Sequence, residues 1–366
     1  MSIADKLTQL NEIKQDIKQA IIDKGQAATD DMGEYSTLIS NISSGAADDS
    51  FKNLIEQNGN EVNLPSNLAT IGDYAFYNNG TLALTNLPNG ITSIGKYAFS
   101  SCTNLALTSL PDGTTSIGER AFYGCTNLAL TSLPSGMTSV GLFVFSGCTN
   151  LALTSLPEGI TSIDSGAFNG CTNLALTSLP DGTTSIGNNA FYGCTNLALT
   201  SLPDGLTKIN SSTFYNCTNL ALTSLSEAIT SIGQDAFSGC SNISIAKLPD
   251  GVTKIDNQAF RGCKNLLLTS LPEGITSIGT SGFASCEKIT ITSIPAGVTS
   301  IGGSAFWYCY GLTTLTFKGT PKTISSSVFN YCNNLTVINV PWAEGAVANA
   351  PWGAPNATIN YNYVEG

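Results

Sequence analysis

The chain has 366 residues, of which only 11% are charged; 15 Lys and Arg against 26 Asp and Glu give a net charge of −11, and there is no histidine. So few cations, with none between Arg120 and Lys208, exclude a nucleic-acid surface, which needs clustered positive charge to neutralise phosphates. The missing histidine removes the commonest general base and the usual activator of a Ser or Cys nucleophile, so any catalysis would fall to carboxylate pairs.

At the N-terminus an amphipathic helix is expected over residues 2–24. Ser2 can cap it, Leu7, Leu10, Ile13, Ile17 and Ile21 recur at spacings of three and four, and Gly25 can end it. A second, shorter helix is expected over residues 31–42, with Met32, Tyr35, Leu38, Ile39 and Ile42 as its apolar stripe. Residues 1–45 therefore read as a helical hairpin for attachment or oligomerisation, a trimer included. Residues 43–50 are rich in Ser, Gly, Ala and Asp and suit a linker; the stretch 46–61 serves as linker and lead-in to a first coil. The opening residues lack the apolar core of a secretion leader, and no run is apolar enough to span a bilayer. A chain without secretion signal, membrane insertion or wall-sorting ending is expected.

From Phe76 onward a phenylalanine recurs every 23 residues, through Phe99, Phe122, Phe145, Phe168, Phe191, Phe214, Phe237, Phe260, Phe283 and Phe306 to Phe329. Residues 108–130 read TSLPDGTTSIGERAFYGCTNLAL, and residues 177–199 repeat them with two substitutions, the mark of recent duplication. A period of this length with Leu, Ile, Cys and Asn at fixed offsets predicts a leucine-rich-repeat solenoid over residues 62–341. About 12 coils are expected, mostly β with short helical turns. Within a coil, Leu105, Leu107 and Leu110 should form a strand ended by Pro111. A Pro-Asp-Gly turn comes next, in which proline presets φ and glycine supplies a positive φ. A second extended piece runs through Ile117, and a helical or irregular turn passes Ala121 and Phe122. Leu105, Leu110, Ile117 and Phe122 are the expected core.

All eleven cysteines sit three residues after a repeat phenylalanine: Cys102, Cys125, Cys148, Cys171, Cys194, Cys217, Cys240, Cys263, Cys286, Cys309 and Cys332. Equivalent side chains of adjacent coils point in parallel, and their number is odd, which argues for a structural ladder of buried free thiols rather than disulfides. No metal site is expected, because one cysteine per coil lacks the short hairpin spacing of zinc ligands. Asn104, Asn127, Asn150, Asn173, Asn196, Asn219, Asn242, Asn265 and Asn334 stand two residues beyond the cysteine and are expected to turn inward and satisfy backbone groups. Asp112, Glu158, Asp181, Asp204, Asp250 and Glu273 come directly after the repeat proline. Stacked carboxylates can in principle act as acid and base or bind calcium, but uncharged Asn89, Ser135 and Ala296 hold the same place, which favours turn chemistry.

The residue after the phenylalanine varies: Tyr77, Ser100, Tyr123, Ser146, Asn169, Tyr192, Tyr215, Ser238, Arg261 and Trp307. That variation implies exposure. Tyr77, Tyr123, Tyr192, Tyr215 and Trp307 are binding candidates as a row of rings able to stack on sugars or proteins, or they simply cover the adjacent coil. Leu142 and Phe143, where another coil has Glu119 and Arg120, mark an apolar contact patch or tolerated drift. Beyond Pro341 the register stops, and residues 342–366, with Trp342 and Trp352, are expected to cap the core.

The unit Ile-Gly-x-x-Ala-Phe-x-Gly-Cys-Thr-Asn-Leu, at residues 117–128 and 186–197, resembles the BspA-like, or Treponema-type, leucine-rich repeats. That resemblance implies a curved solenoid of a surface adhesin that binds proteins or cells without catalysis and without cofactor. Residues 10–25 with Tyr35-x-x-Leu-Ile-x-x-Ile42 look like a helical module at the start of bacteriophage tail-associated proteins, and residues 340–354 are similar to endings of phage-encoded leucine-rich-repeat proteins. This implies a virion tail fibre or tail-tip adhesin, joined to other tail proteins through the N-terminal helices and contacting a bacterial surface protein or glycan receptor. A cellular adhesin on the bacterial surface is the alternative.

Overall fold

The computed structural model describes residue 64 and residues 68–364. The two expected N-terminal helices and the linker lie outside the described residues. The described chain is a stack of about 13 turns with a period near 23 residues, a β-solenoid of the leucine-rich-repeat kind.

Parallel pairing between successive coils begins at a Ser-Ile dipeptide. Ser93–Ile94 pairs with Thr70–Ile71 on one side and Ser116–Ile117 on the other, residue for residue at an offset of 23. The same column continues through Ser139–Val140, Ser162–Ile163 and Ser185–Ile186, and again from Lys208–Ile209 to Thr323–Ile324. Alternation puts the Ser or Lys toward solvent and the Ile or Val inward, as a pleated strand with one buried face must. Ile117 is only partly buried but packs against the core.

The expected strand through Leu105, Leu107 and Leu110 is a correction. In that coil the segment is irregular, joined to the previous coil by a bond from Ala106 N to Leu84 O at 3.1 Å. Regular strands appear at this column only late, at Ser293–Ile294, Thr314–Phe317, Val337–Asn339 and Thr358–Asn360, which form one four-stranded sheet. The reason is local. Earlier coils place Ala at the outward position, as at Ala106, whereas the later coils carry β-branched Thr290, Thr313 and Thr336 there.

The expected helical turns are corrected too, since the residues around each phenylalanine form turns, not helix. Amides alternate between two acceptors. Phe122 N donates to Val144 O of the next coil at 3.0 Å, while Tyr123 N donates back to Arg120 O at 3.1 Å. A helix would need every amide to look back along its own coil.

The phenylalanines form one continuous column. From Phe76–Phe99, at 5.1 Å and 7°, to Phe306–Phe329, at 5.6 Å and 13°, adjacent rings lie nearly parallel. From Phe99 through Phe329 each is fully buried, and burying such a ring contributes about 1.5–3 kcal/mol. At the far end Trp352 is fully buried, and Trp342 is nearly so. They contact Phe317 at 6.0 and 5.4 Å, and Trp352 Nε1 donates to Ala348 O at 2.8 Å. No helix among the described residues is long and apolar enough to cross a membrane.

Candidate binding surface

Two columns of left-handed backbone bracket each core phenylalanine from Phe76 to Phe306, and the second continues beside Phe329. Two residues before it lie Tyr74, Tyr97, Arg120 and Phe143, with φ of 59°, 54°, 53° and 52°; two residues after it lie Ser101, Gly124, Tyr308 and Tyr331, with φ of 63°, 70°, 57° and 63°. A non-glycine residue in this region costs roughly 1–2 kcal/mol. The cost is met by coil-to-coil bonds on both columns, such as Arg120 N to Leu142 O at 3.0 Å and Gly124 N to Ser146 O at 2.7 Å.

On the first column the rings stack across coils. Tyr74 and Tyr97 lie 4.9 Å apart at 5°. The Arg120 guanidinium sits 5.5 Å from the Tyr97 ring centre and 4.7 Å from that of Phe143, and it is held by an ion pair to Glu119 at 2.6 Å. Tyr77, 48% exposed, meets Tyr74 and Tyr97 edge-on. Leu142 and Phe143 are half-buried in the next coil of this group. The stack stops at Gly166, whose missing side chain leaves the space that the Phe143 ring occupies.

A second group pairs Tyr192 with Tyr215, stacked at 4.5 Å and 7°. Desolvation and the neighbouring Tyr215 raise the Tyr192 phenol above its ordinary value. A third gathers Trp307, Tyr308, Tyr310 and Tyr331: Trp307 meets Tyr308 at 4.2 Å, and Tyr308 meets Tyr331 at 4.6 Å. Tyr123 is 42% exposed.

The single row expected from sequence is therefore broken into groups, and the residue after the phenylalanine is not uniformly exposed. Ser100, Ser146 and Ser238 are buried at that position, Asn169, Tyr215 and Trp307 are half-buried, and Tyr77, Tyr123, Tyr192 and Arg261 are exposed. Tyr74, Tyr97, Tyr308, Tyr310 and Tyr331 are not among the residues expected from sequence. Their signal lies in the same register, two residues either side of the phenylalanine and four after it. Because stacked rings cover each other's faces, the groups offer mainly edges and hydroxyls, which suit edge-to-face and hydrogen-bonded contact more than sugar stacking.

The eleven cysteines are all free and buried. Each thiol donates to the carbonyl of the phenylalanine 26 residues earlier, as in Cys102 to Phe76 O at 2.9 Å and Cys217 to Phe191 O at 3.0 Å. Burial pushes the Cys102 and Cys332 thiols up to about 12 and the other nine well above their usual value. A neutral, enclosed thiol is a poor nucleophile and a poor metal ligand.

The asparagines beyond the cysteines do not turn inward. All but half-buried Asn265 are exposed, and Asn334 Nδ2 caps Tyr310 O at 2.8 Å from outside. Backbone amides fill the role expected of these side chains, as when Asn150 N donates to Thr126 O, so the inward side is left to Leu and Cys. The turn acids are exposed, and among the described residues no group of three His, Cys, Asp or Glu is placed to hold a metal ion. Their turn is closed by Thr114 N to Pro111 O at 2.9 Å. Contrary to expectation its glycine, Gly113, does not have a positive φ.

A family model described as BspA type leucine rich repeat region matches residues 46–152, 140–267 and 230–345. Among solved structures, a leucine-rich repeat protein from Bacteroides ovatus is similar at 24% identity and a TM-score of 0.61, over 81% of this chain and 82% of that one. The pneumococcal vaccine antigen PcpA is similar at 17% identity and a TM-score of 0.50, over 75% and 78%. A leucine rich cell surface protein from Faecalibacterium prausnitzii aligns at 25% identity and a TM-score of 0.46, over 76% and 84%. No curated protein matches the chain.

Proposed function

The chain belongs to the BspA-type leucine-rich repeat family, and on that premise we propose that it is a non-enzymatic adhesin carried on a bacteriophage tail. In this reading residues 1–45 attach it to other tail proteins or join three copies of it, and the solenoid meets a protein or glycan on the bacterial surface. The observation that carries the adhesive role is the set of aromatic groups at Tyr74–Phe143, Tyr192–Tyr215 and Trp307–Tyr331, held outward on a stiff hydrogen-bonded frame. Tyr, Trp and Arg are the side chains that dominate protein contact energies, and this chain keeps bulky ones at left-handed positions that disfavour them. The tail location is supported by the resemblance of residues 10–25 and 35–42 to a module of phage tail-associated proteins, and of residues 340–354 to endings of phage-encoded leucine-rich-repeat proteins.

Antibody labelling of purified virions and of intact cells tests the location. Label on tail tips is expected; label on uninfected cells alone would replace the tail with a cellular adhesin. Pull-down of tail components by residues 1–45 tests attachment, and no capture would remove that role.

A further inference from the structure

A groove of about 370 Å³ crosses the first three complete coils, away from the core phenylalanines in sequence. Leu87, Leu110 and Leu133 with Pro111 and Pro134 lie beneath it, all buried, so the surface it exposes is mostly polar. One wall is Asn86, Ser109 and Ser132, and the other is Asn89 and Asp112, all exposed. The wall residues flank the Leu-Pro dipeptide in these three coils, so the groove runs from coil to coil across them and stops before the coil of Asp181. Asn86 and Asn89 place amides where most later coils carry Ser and an acid.

We propose that this groove binds a neutral oligosaccharide segment of about two sugar rings. The length comes from the span: three coils at about 4.8 Å per step cover roughly 10 Å. The chemistry comes from the lining. Hydroxyls and amides on both walls can donate to and accept from sugar hydroxyls, and Asp112 has no ion pair or hydrogen-bond partner among the described residues, leaving its carboxylate free to accept from a pair of adjacent hydroxyls. No cation lines the groove, which argues against phosphorylated or carboxylated glycans. The site rests on the adhesin reading and names the ligand class for one part of its surface.

The test is calorimetric titration of the full chain with a panel of neutral disaccharides containing glucose, galactose or N-acetylhexosamine. At least one should bind at millimolar strength or better. Asp112→Ala and Asn89→Ala should each weaken it tenfold or more, while Asp181→Ala, the same turn position outside the groove, should leave it unchanged. Binding of no disaccharide, loss in the Asp181 variant to the same degree, or preference for an extended peptide would overturn the proposal. Adsorption of the Asp112 variant to whole cells separates the two readings: retained adsorption without disaccharide binding sinks the groove and leaves the adhesin.

Discussion

The ring of Phe143 fills the space above Gly166, one coil further on: a Cβ added at Gly166 would overlap Phe143 Cε1 and Cδ1. The two residues hold the same register position, both with left-handed backbone, at φ of 52° and 63°. The glycine lets the side chain of the preceding coil lie flat, with Arg120 stacked on its other side.

Gly166→Ala should therefore destabilise the array by about 2–3 kcal/mol, combining left-handed strain with overpacking. In a Phe143→Ala background the same change should cost only about 1 kcal/mol. Urea unfolding of the four proteins measures the coupling, and additive effects would show that the ring does not depend on the gap.

Two glycines of one coil should respond oppositely. At Gly113 a Cβ would meet only Ile91 O at 3.7 Å and Thr92 Cγ2 at 3.9 Å, without a positive φ. Gly113→Ala should be neutral or stabilise by about 0.4–1 kcal/mol. At Gly118 a Cβ would lie 2.5 Å from Lys96 N of the adjacent coil, so Gly118→Ala should lower the melting temperature by several degrees. Equal effects in thermal melts would contradict the close coil approach.

Alkaline pH should unfold the solenoid. Burial raises the folded thiols above their unfolded value of 9.0, to about 12 for Cys102 and Cys332, so the folded chain keeps protons that the unfolded chain releases. This contribution is fully present below pH 9 and is lost as pH rises from 9 toward 12, at about 1.4 kcal/mol per pH unit for each thiol. Urea midpoints in reductant should fall accordingly between about pH 7.5 and about pH 10, and Cys102→Ala should remove about one proton from the dependence. An unchanged dependence in that variant would assign it to other groups. A thiol reagent should find none of the eleven reactive before unfolding.

Tyr192→Ser with Tyr215→Ser removes the central stacked pair without touching the core, and Trp307→Ser thins the C-terminal group. If these groups form the adhesive surface, cell adsorption should fall at least tenfold with circular dichroism unchanged. Unaltered adsorption in both variants would move the contact to Tyr74–Phe143 or off the aromatics altogether.

The period, the phenylalanine column and the cysteine register are legible in the sequence, because every coil meets the same neighbours at the same offset and a core position tolerates little variation. The place of the binding candidates is only half legible. Tyr77 and Tyr192 project as their variation suggests, yet Ser100 and Ser146 at the same offset are buried, since side-chain reach as well as position decides exposure.

Sequence by itself thus determined the stacking unit: a 23-residue coil with Phe, Cys and Leu inward and a neutral, acidic-leaning exterior. Tertiary structure decided how coils touch. The left-handed columns, the thiol-to-phenylalanine bond spanning 26 residues, the Arg120 stack and the Phe143–Gly166 fit all arise between coils. There the outcome depends on backbone direction and on what the neighbouring coil leaves empty, and a single unit read alone carries neither.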